Sequence, residues 1–190
     1  MYPNYLTHYY TEFPFRSIMD LPPGEQVRLV RRIRALGNNR RRLTVPNYYI
    51  QRRRYEAIMR EQFIAKGGQP VRQHPHYLVL GESELWSKPK TKSIRIPLTA
   101  IPATLISFTY TDSWYAYVDR ELSGGEIPRK PQYDQVFRAE ELDAVFAEYG
   151  WPGDRWKKSR THPQFNHDYY VEAQVWADEP LEPHIQSGAA

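Results

Sequence analysis

Cysteine is absent from the 190 residues, which excludes disulfides and thiolate-ligated metals and suits a bacterial-type cytoplasm. No apolar run approaches the roughly 18 residues that a membrane-crossing helix needs. The N-terminus carries no basic-then-apolar signal pattern, and a mean hydropathy of −0.73 points the same way. The expectation is a cytoplasmic protein with no membrane partner. Internal repeats, a phosphate-binding glycine loop and a nucleophile elbow are also missing. One further absence is local: no acidic residue stands between Glu25 and Glu56.

What is present is an apolar content of 41%, enough for one folded domain with a real core. With 15 tyrosines and 5 tryptophans the chain is rich in aromatics, which suits stacking on a base or a nicotinamide. The net charge of +4 says little about partners, but its distribution says more. The acid-free stretch holds Arg28, Arg31, Arg32, Arg34, Arg40, Arg41, Arg42, Arg52, Arg53 and Arg54, interleaved with Tyr48, Tyr49 and Tyr55. Such a one-signed block is either a solvated helix face with a loop or the footprint of a polyanion-binding surface. On the second reading Arg40, Arg41, Arg42 and Arg52 grip nucleic-acid phosphates, and Lys157, Lys158 and Arg160 form a second basic spot.

In chain order, Tyr5–Tyr10 reads as a strand and Phe13–Met19 as the start of a helix. Helical spacing of Val27, Val30, Ile33 and Leu36 predicts a helix ended by Gly37-Asn38-Asn39. A second helix is predicted over Tyr48–Ala65, with Ile50, Ile58, Phe63 and Ile64 among its apolar positions and Gly67-Gly68 as its stop. His76–Gly81, Ser93–Leu98 and Ile106–Tyr110 read as strands, and Glu140–Tyr149 as an amphipathic helix. Residues 123–131 read as an exposed loop, 151–168 as polar and irregular, and 186–190 as a disordered tail. His74 and His76 lack acidic neighbours at ligand spacing, so no metal site is expected. Tyr169–Trp176 alternates Val171, Ala173 and Val175 with Glu172, Gln174 and Trp176, a strand with two polar side chains on one face. That face is either a solvated polar edge or a carboxylate held rigidly for charge stabilisation. Helices early and strands late, without βαβ alternation, predict an α+β domain.

Several of these segments, in this order, resemble elements of the DarT-type DNA-modifying toxins of the ADP-ribosyltransferase superfamily. Tyr5-Leu6-Thr7-His8-Tyr9-Tyr10, followed by Phe15-Arg16-Ser17-Ile18-Met19, resembles the family's opening His-x-Thr strand and short helix. Ile50-Gln51-Arg52-Arg53-Arg54 is similar to its Ile-x-x-Arg-Arg element, and Tyr77-Leu78-Val79-Leu80 to its next strand. Phe108-Thr109-Tyr110-Thr111-Asp112-Ser113 resembles a Phe-Thr-Asp-Gly-Asn-Ala-like motif. Val171-Glu172-Ala173-Gln174-Val175-Trp176, with Pro180 and Ile185, is similar to the closing Ala-Glu-Val-Leu-Val segment. The chain departs from the family in having Tyr10 for Thr and Val171 for Ala, and in lacking the Gly-Asn of the fourth motif.

The resemblance implies an ADP-ribosyltransferase-like α+β fold over residues 1–185, with N-terminal helices and a mixed, mostly antiparallel β core. It implies NAD as a substrate and a nucleic acid, DNA rather than RNA, as acceptor, with a neutralising antitoxin as partner. Glu172 would stabilise the oxocarbenium-like charge as nicotinamide leaves, and Arg53 or Arg54 would contact the NAD phosphates or the acceptor. His8, Tyr10 and Tyr77 would line the NAD pocket, and residues 151–168 would form the acceptor-recognition loop. Read this way, His8, Arg53 or Arg54, and Glu172 should share one cleft. Two other readings stay open: a noncatalytic nucleic-acid-binding protein using the Arg28–Arg54 block, and an interaction protein from a phage or mobile element.

Overall fold

The structure, a computed structural model, describes residues 2–35, 48–114, 116–117, 130–152 and 170–187. Five strands are laid down by β-branched and aromatic runs: β1 (Tyr5–Tyr10), β2 (His76–Leu80), β3 (Lys92–Pro97), β4 (Ile106–Thr109) and β5 (Glu172–Val175). They form one sheet in the order β3-β1-β2-β5-β4. Every pairing among the described residues is antiparallel, so the mixed core expected from the resemblance is here uniformly antiparallel. The helices described over their whole length are α1 (Pro23–Ala35), α2 (Tyr48–Ala65), α3 (Leu142–Tyr149) and α4 (Glu182–Ser187). The domain is therefore α+β. No helix among the described residues is long and apolar enough to cross a membrane.

The predicted elements fall close to their places, with three differences. The helix expected from Phe13 is only a single 3-10 turn, Ile18–Asp20, capped by Ser17 Oγ accepting from Met19 N at 3.1 Å. Phe15 sits at φ 54°, a left-handed conformation through which no helix passes. The final strand is shorter than read and lies inside the sheet between β2 and β4, not at an edge. The last helix runs to Ser187, two residues into the stretch read as a tail.

Register decides which side chains share a face. Thr7 pairs with Val79 and with Arg95, Val79 with Glu172, and Glu172 with Thr109. Paired residues point the same way, so one row across the sheet reads Arg95, Thr7, Val79, Glu172, Thr109. The opposite face carries Leu6, Leu78, Leu80, Ile96, Ile106, Phe108, Ala173 and Val175, which build the main core with Leu142 and Val145 of α3 and with Leu181. Each such side chain contributes about 1.5–3 kcal/mol by leaving water.

The face bearing Glu172 is covered at its β2–β5–β4 end by α2. Tyr55, Met59 and Phe63, spaced four apart, pack with Trp114 and Trp176, and the Phe63 and Trp176 rings stack 6.3 Å apart. This corrects the predicted apolar stripe: Ile50 and Ile64 are 65% and 45% exposed. The larger aromatic and thioether side chains set the helical phase, and they carry Arg52 and Glu56 inward with them. At the sheet's outer margin Phe137 bridges Phe108 in both directions, closing the β4 edge.

Candidate active site

Glu172 is 5% exposed although it lies on the polar face of the sheet. Ser113, four residues after β4 and at the start of a helical segment, holds it twice: Ser113 Oγ donates to Glu172 Oε1 at 2.5 Å and Ser113 N donates to the same oxygen at 3.2 Å. Gln174 Nε2, two residues along the strand, donates to Oε1 at 3.3 Å. Among the described residues every donor to this carboxylate falls on Oε1 and none on Oε2. One oxygen is fixed by three donors, and the other accepts from no donor among the described residues.

A polar ladder anchors the strand that carries it. Trp176 Nε1 donates to Ser107 Oγ at 2.9 Å, Ser107 Oγ to Gln174 Oε1 at 3.0 Å, and Gln174 Nε2 to Thr109 Oγ1 at 3.1 Å. The buried polar atoms of β4 and β5 are thus paired with one another, as burial requires. The neighbouring turn is pinned by Asp112, which accepts from Trp114 N at 2.9 Å and from Tyr170 Oη at 2.8 Å.

From α2, Arg52 reaches the same site. Its Nη1 donates to Ser113 Oγ at 3.3 Å, its Nε donates to Glu56 Oε1 at 2.8 Å, and its guanidinium lies 3.9 Å from the Tyr77 ring centroid. Burial works against the Arg52 charge, but Tyr77, Glu56, Tyr48 and Glu172 outweigh it and hold the group above its ordinary pKa. Burial pushes the Tyr77 phenol well above its ordinary value, opposed by Arg52 and reinforced by Glu56 and Glu172. Arg52 is thus a fixed cation beside a buried carboxylate.

Of the residues expected at this site, Glu172 and Tyr77 are brought together and the others are not. Arg53 Nη2 donates to Gln26 Oε1 of α1 at 3.3 Å, and Arg54 is exposed with its guanidinium 5.5 Å from the Tyr55 ring. One residue of helix turns a side chain by about 100°, so Arg52 reaches Glu172 and its two neighbours do not. Arg52, expected on a phosphate-gripping surface, is only 8% exposed. His8 and Tyr10 belong to the face opposite Glu172, since Thr7 shares the row with it. The His8 ring stacks on Phe15 at 4.3 Å and lies 6.0 Å from Tyr10. Phe15 N donates to His8 Nε2 at 3.0 Å, so Nε2 is the acceptor and Nδ1 carries the proton to Tyr77 O at 3.1 Å. Both bonds use the neutral ring. Burial lowers its pKa to about 4, against the Tyr77 carbonyl and with His76 adding to the fall. His8 is a structural clamp, and the expected single cleft of His8, Arg53 or Arg54, and Glu172 does not form. Arg40, Arg41, Arg42, Lys157, Lys158 and Arg160 lie outside the described residues, as does most of the 151–168 loop.

Ser113, Glu56 and His74 were missed as site residues. Ser113 stands at the end of the Phe108–Ser113 segment, and Arg52 and Glu56 form an Arg-x-x-x-Glu pair at helical spacing, so both signals were on view. His74 Nδ1 pairs with Glu56 Oε2 at 2.5 Å, while His76 Nε2 pairs with Asp178 at 2.7 Å. No group of side chains suited to a metal occurs among the described residues.

Beyond the part covered by α2, the β3–β1 end of the same face opens into a cavity of about 670 Å³. Tyr5, Thr7, Tyr9 and Arg95 form its floor, with Trp151 and Tyr170 among its walls. Thr7 is two strands from Glu172 in the same row, on the order of 10 Å at ordinary strand spacing. Comparison with known proteins returns no match, whether family model, curated protein or solved structure.

Proposed function

We propose that this protein is an NAD-dependent mono-ADP-ribosyltransferase whose acceptor is a nucleic acid. The observation that carries the reading is the one-sided holding of Glu172, with three donors on Oε1 and an undonated Oε2. Cleaving the bond between ribose C1′ and nicotinamide sends the bonding electrons out with nicotinamide and leaves positive charge on the ribose. A fixed carboxylate oxygen stabilises that charge without reorganising, an effect worth about 3 kcal/mol for one well-placed group. The acceptor then bonds to C1′ and loses its proton, and Glu172 is the base within the site for it.

The cavity fits the substrate in size, and Thr7 on its floor shares a row with Glu172, which does not itself line it. Its volume of about 670 Å³ suits a bound dinucleotide moiety, and Tyr9, Trp151 and Tyr170 offer ring faces for a base or nicotinamide. Arg52, and not Arg53 or Arg54, stands beside Glu172 through its bond to Ser113, and His8 and Tyr10 leave the NAD pocket. Exposed Arg28, Arg31 and Arg32 on α1 support a polyanionic acceptor.

The test is transfer of labelled ADP-ribose from NAD to single-stranded DNA, RNA and protein, with free nicotinamide measured in parallel, for wild type and Glu172→Gln. Labelling of DNA that falls about 100-fold or more in the variant is expected. A wild type that neither releases nicotinamide nor labels any acceptor sinks the reading. The exposed α1 arginines favour one second reading, a noncatalytic nucleic-acid-binding protein, whose sign is salt-dependent binding undiminished by Glu172→Gln.

A further inference from the structure

We propose that Glu56 is the positioning residue of this site, acting on Glu172 through Arg52 and Ser113. The proposal rests on Glu172 being the catalytic carboxylate, but its geometry stands apart from any choice of substrate. Glu56 is 1% exposed and every contact it makes is directed. Oε1 accepts from Arg52 Nε and from Tyr77 Oη, each at 2.8 Å, and Oε2 is paired with His74 Nδ1 at 2.5 Å. Tyr77 is therefore used twice, its hydroxyl orienting Glu56 and its ring carrying the guanidinium plane of Arg52.

The direction of the hydrogen bonds gives the chain its effect. Arginine only donates, so Ser113 Oγ must accept from Arg52 Nη1, and its single proton is then committed to Glu172 Oε1. Turning the guanidinium frees Ser113 to rotate, and Glu172 loses its shortest bond. With the bond that Nε donates to Glu56 and the Tyr77 face both fixing the plane, little of that turning remains. The ordered chain runs from half-buried His74 through Glu56, Arg52 and Ser113 to Glu172, a linkage that a surface ion pair would not provide. Glu56 touches no cavity wall and no candidate substrate contact, so its action on chemistry is indirect.

The experiment uses the whole chain with Glu56→Gln, which keeps the size and removes the charge, and His74→Ala, which removes only the Oε2 partner. The first readout needs no activity: the side-chain Nε–H signal of Arg52 in ¹⁵N NMR, and the chemical shift of the Glu172 carboxyl carbon in ¹³C NMR at one fixed pH. In Glu56→Gln the Arg52 signal is expected to shift and lose exchange protection, and the Glu172 carboxyl carbon signal to shift, while backbone amides beyond the site stay in place. His74→Ala should move the same two signals in the same direction by less. The second readout is NAD turnover, where kcat should fall about 10- to 100-fold with KM nearly unchanged. Adding Glu56→Gln to Glu172→Gln should then produce no further loss. If wild type does not turn over NAD, the functional reading fails while the NMR comparison still decides the role of Glu56. An unmoved Arg52 signal overturns the proposal. So does loss of native amide dispersion in Glu56→Gln together with unmoved Arg52 and Glu172 signals in His74→Ala, because Glu56 would then be holding the fold and not the site.

Discussion

Three consecutive arginines stand on α2 in three different surroundings: Arg52 is buried, Arg53 is partly buried and Arg54 is exposed. Replacing Arg52 by methionine keeps the aliphatic bulk but leaves Glu56, 1% exposed, without its cation. Breaking a buried pair by removing one partner costs about 3–5 kcal/mol, because the desolvated charge that remains has lost its compensation. Arg53 makes one long bond of 3.3 Å to Gln26, worth about 1 kcal/mol or less. Arg54 lies on the exposed side, where substitutions usually stay within about 0.5 kcal/mol. Urea denaturation reads the differences directly. With an m-value of about 2 kcal/mol/M, Arg52→Met should lower the midpoint by roughly 1.5–2.5 M, Arg53→Met by at most about 0.5 M, and Arg54→Met by less. The double variant Arg52→Met, Glu56→Leu should recover part of the loss, since a well-packed apolar pair replaces a buried ion pair at little cost. Equal midpoint shifts for the three single variants, or the largest shift at Arg54, would refute the helical phase on which the whole site depends.

An added Cβ at Gly68 would stand 2.5 Å from the Phe63 ring, so Gly68→Ala should destabilise by about 1–3 kcal/mol in the same assay, and a neutral result would contradict the packing of Phe63 on Trp176. On folding, the His8 pKa falls from 6.5 to about 4, so on acidification the unfolded chain binds the proton first. The contribution of His8, up to about 3 kcal/mol, is therefore complete above pH 6.5 and lost as pH falls toward 4. His76, lowered chiefly by burial, acts in the same sense. His8→Gln should flatten the stability-against-pH slope in that window, and an unchanged slope counts against the buried neutral ring. Removing Arg28, Arg31 and Arg32 together should reduce the steepness of log K against log salt for single-stranded DNA by roughly 2, at about 0.7 per phosphate contact. An unchanged slope would exclude α1 as a phosphate-contacting surface.

The helix over Tyr48–Ala65 and the strands at Tyr5–Tyr10 and His76–Leu80 were legible because local signals marked them: Gly67-Gly68 at the helix stop and aromatic and β-branched runs in the strands. The choice among Arg52, Arg53 and Arg54 was not legible from a motif of identical residues. It depends on which stripe of α2 is buried, and that is decided by Tyr55, Met59 and Phe63 meeting Trp114 and Trp176, residues distant in sequence. The same holds for His8. Its place on the face opposite Glu172 follows from the Thr7–Val79 and Val79–Glu172 registers, which are long-range facts that no single strand encodes.

The alternation Glu172, Gln174, Trp176 shows why polar periodicity alone could not separate a solvated edge from a site. A strand with one polar face looks the same in sequence whether water or a helix covers that face. Once covered, each polar atom must find a partner, and the covering element has to supply complementary groups. In this chain α2 supplies Arg52 and Glu56 on the same stripe as Tyr55, Met59 and Phe63, so a charged pair spaced four apart is carried into the interior with the aromatic anchors. A helix whose buried stripe carries an arginine and a glutamate has no reason to pack on an apolar sheet face, where both charges would be stranded. The informative sign was therefore a match between two segments: a carboxylate on a β-strand and an Arg-x-x-x-Glu pair on the inward phase of a helix. Each segment admits a bland explanation alone, and only their apposition makes Glu172 a held carboxylate.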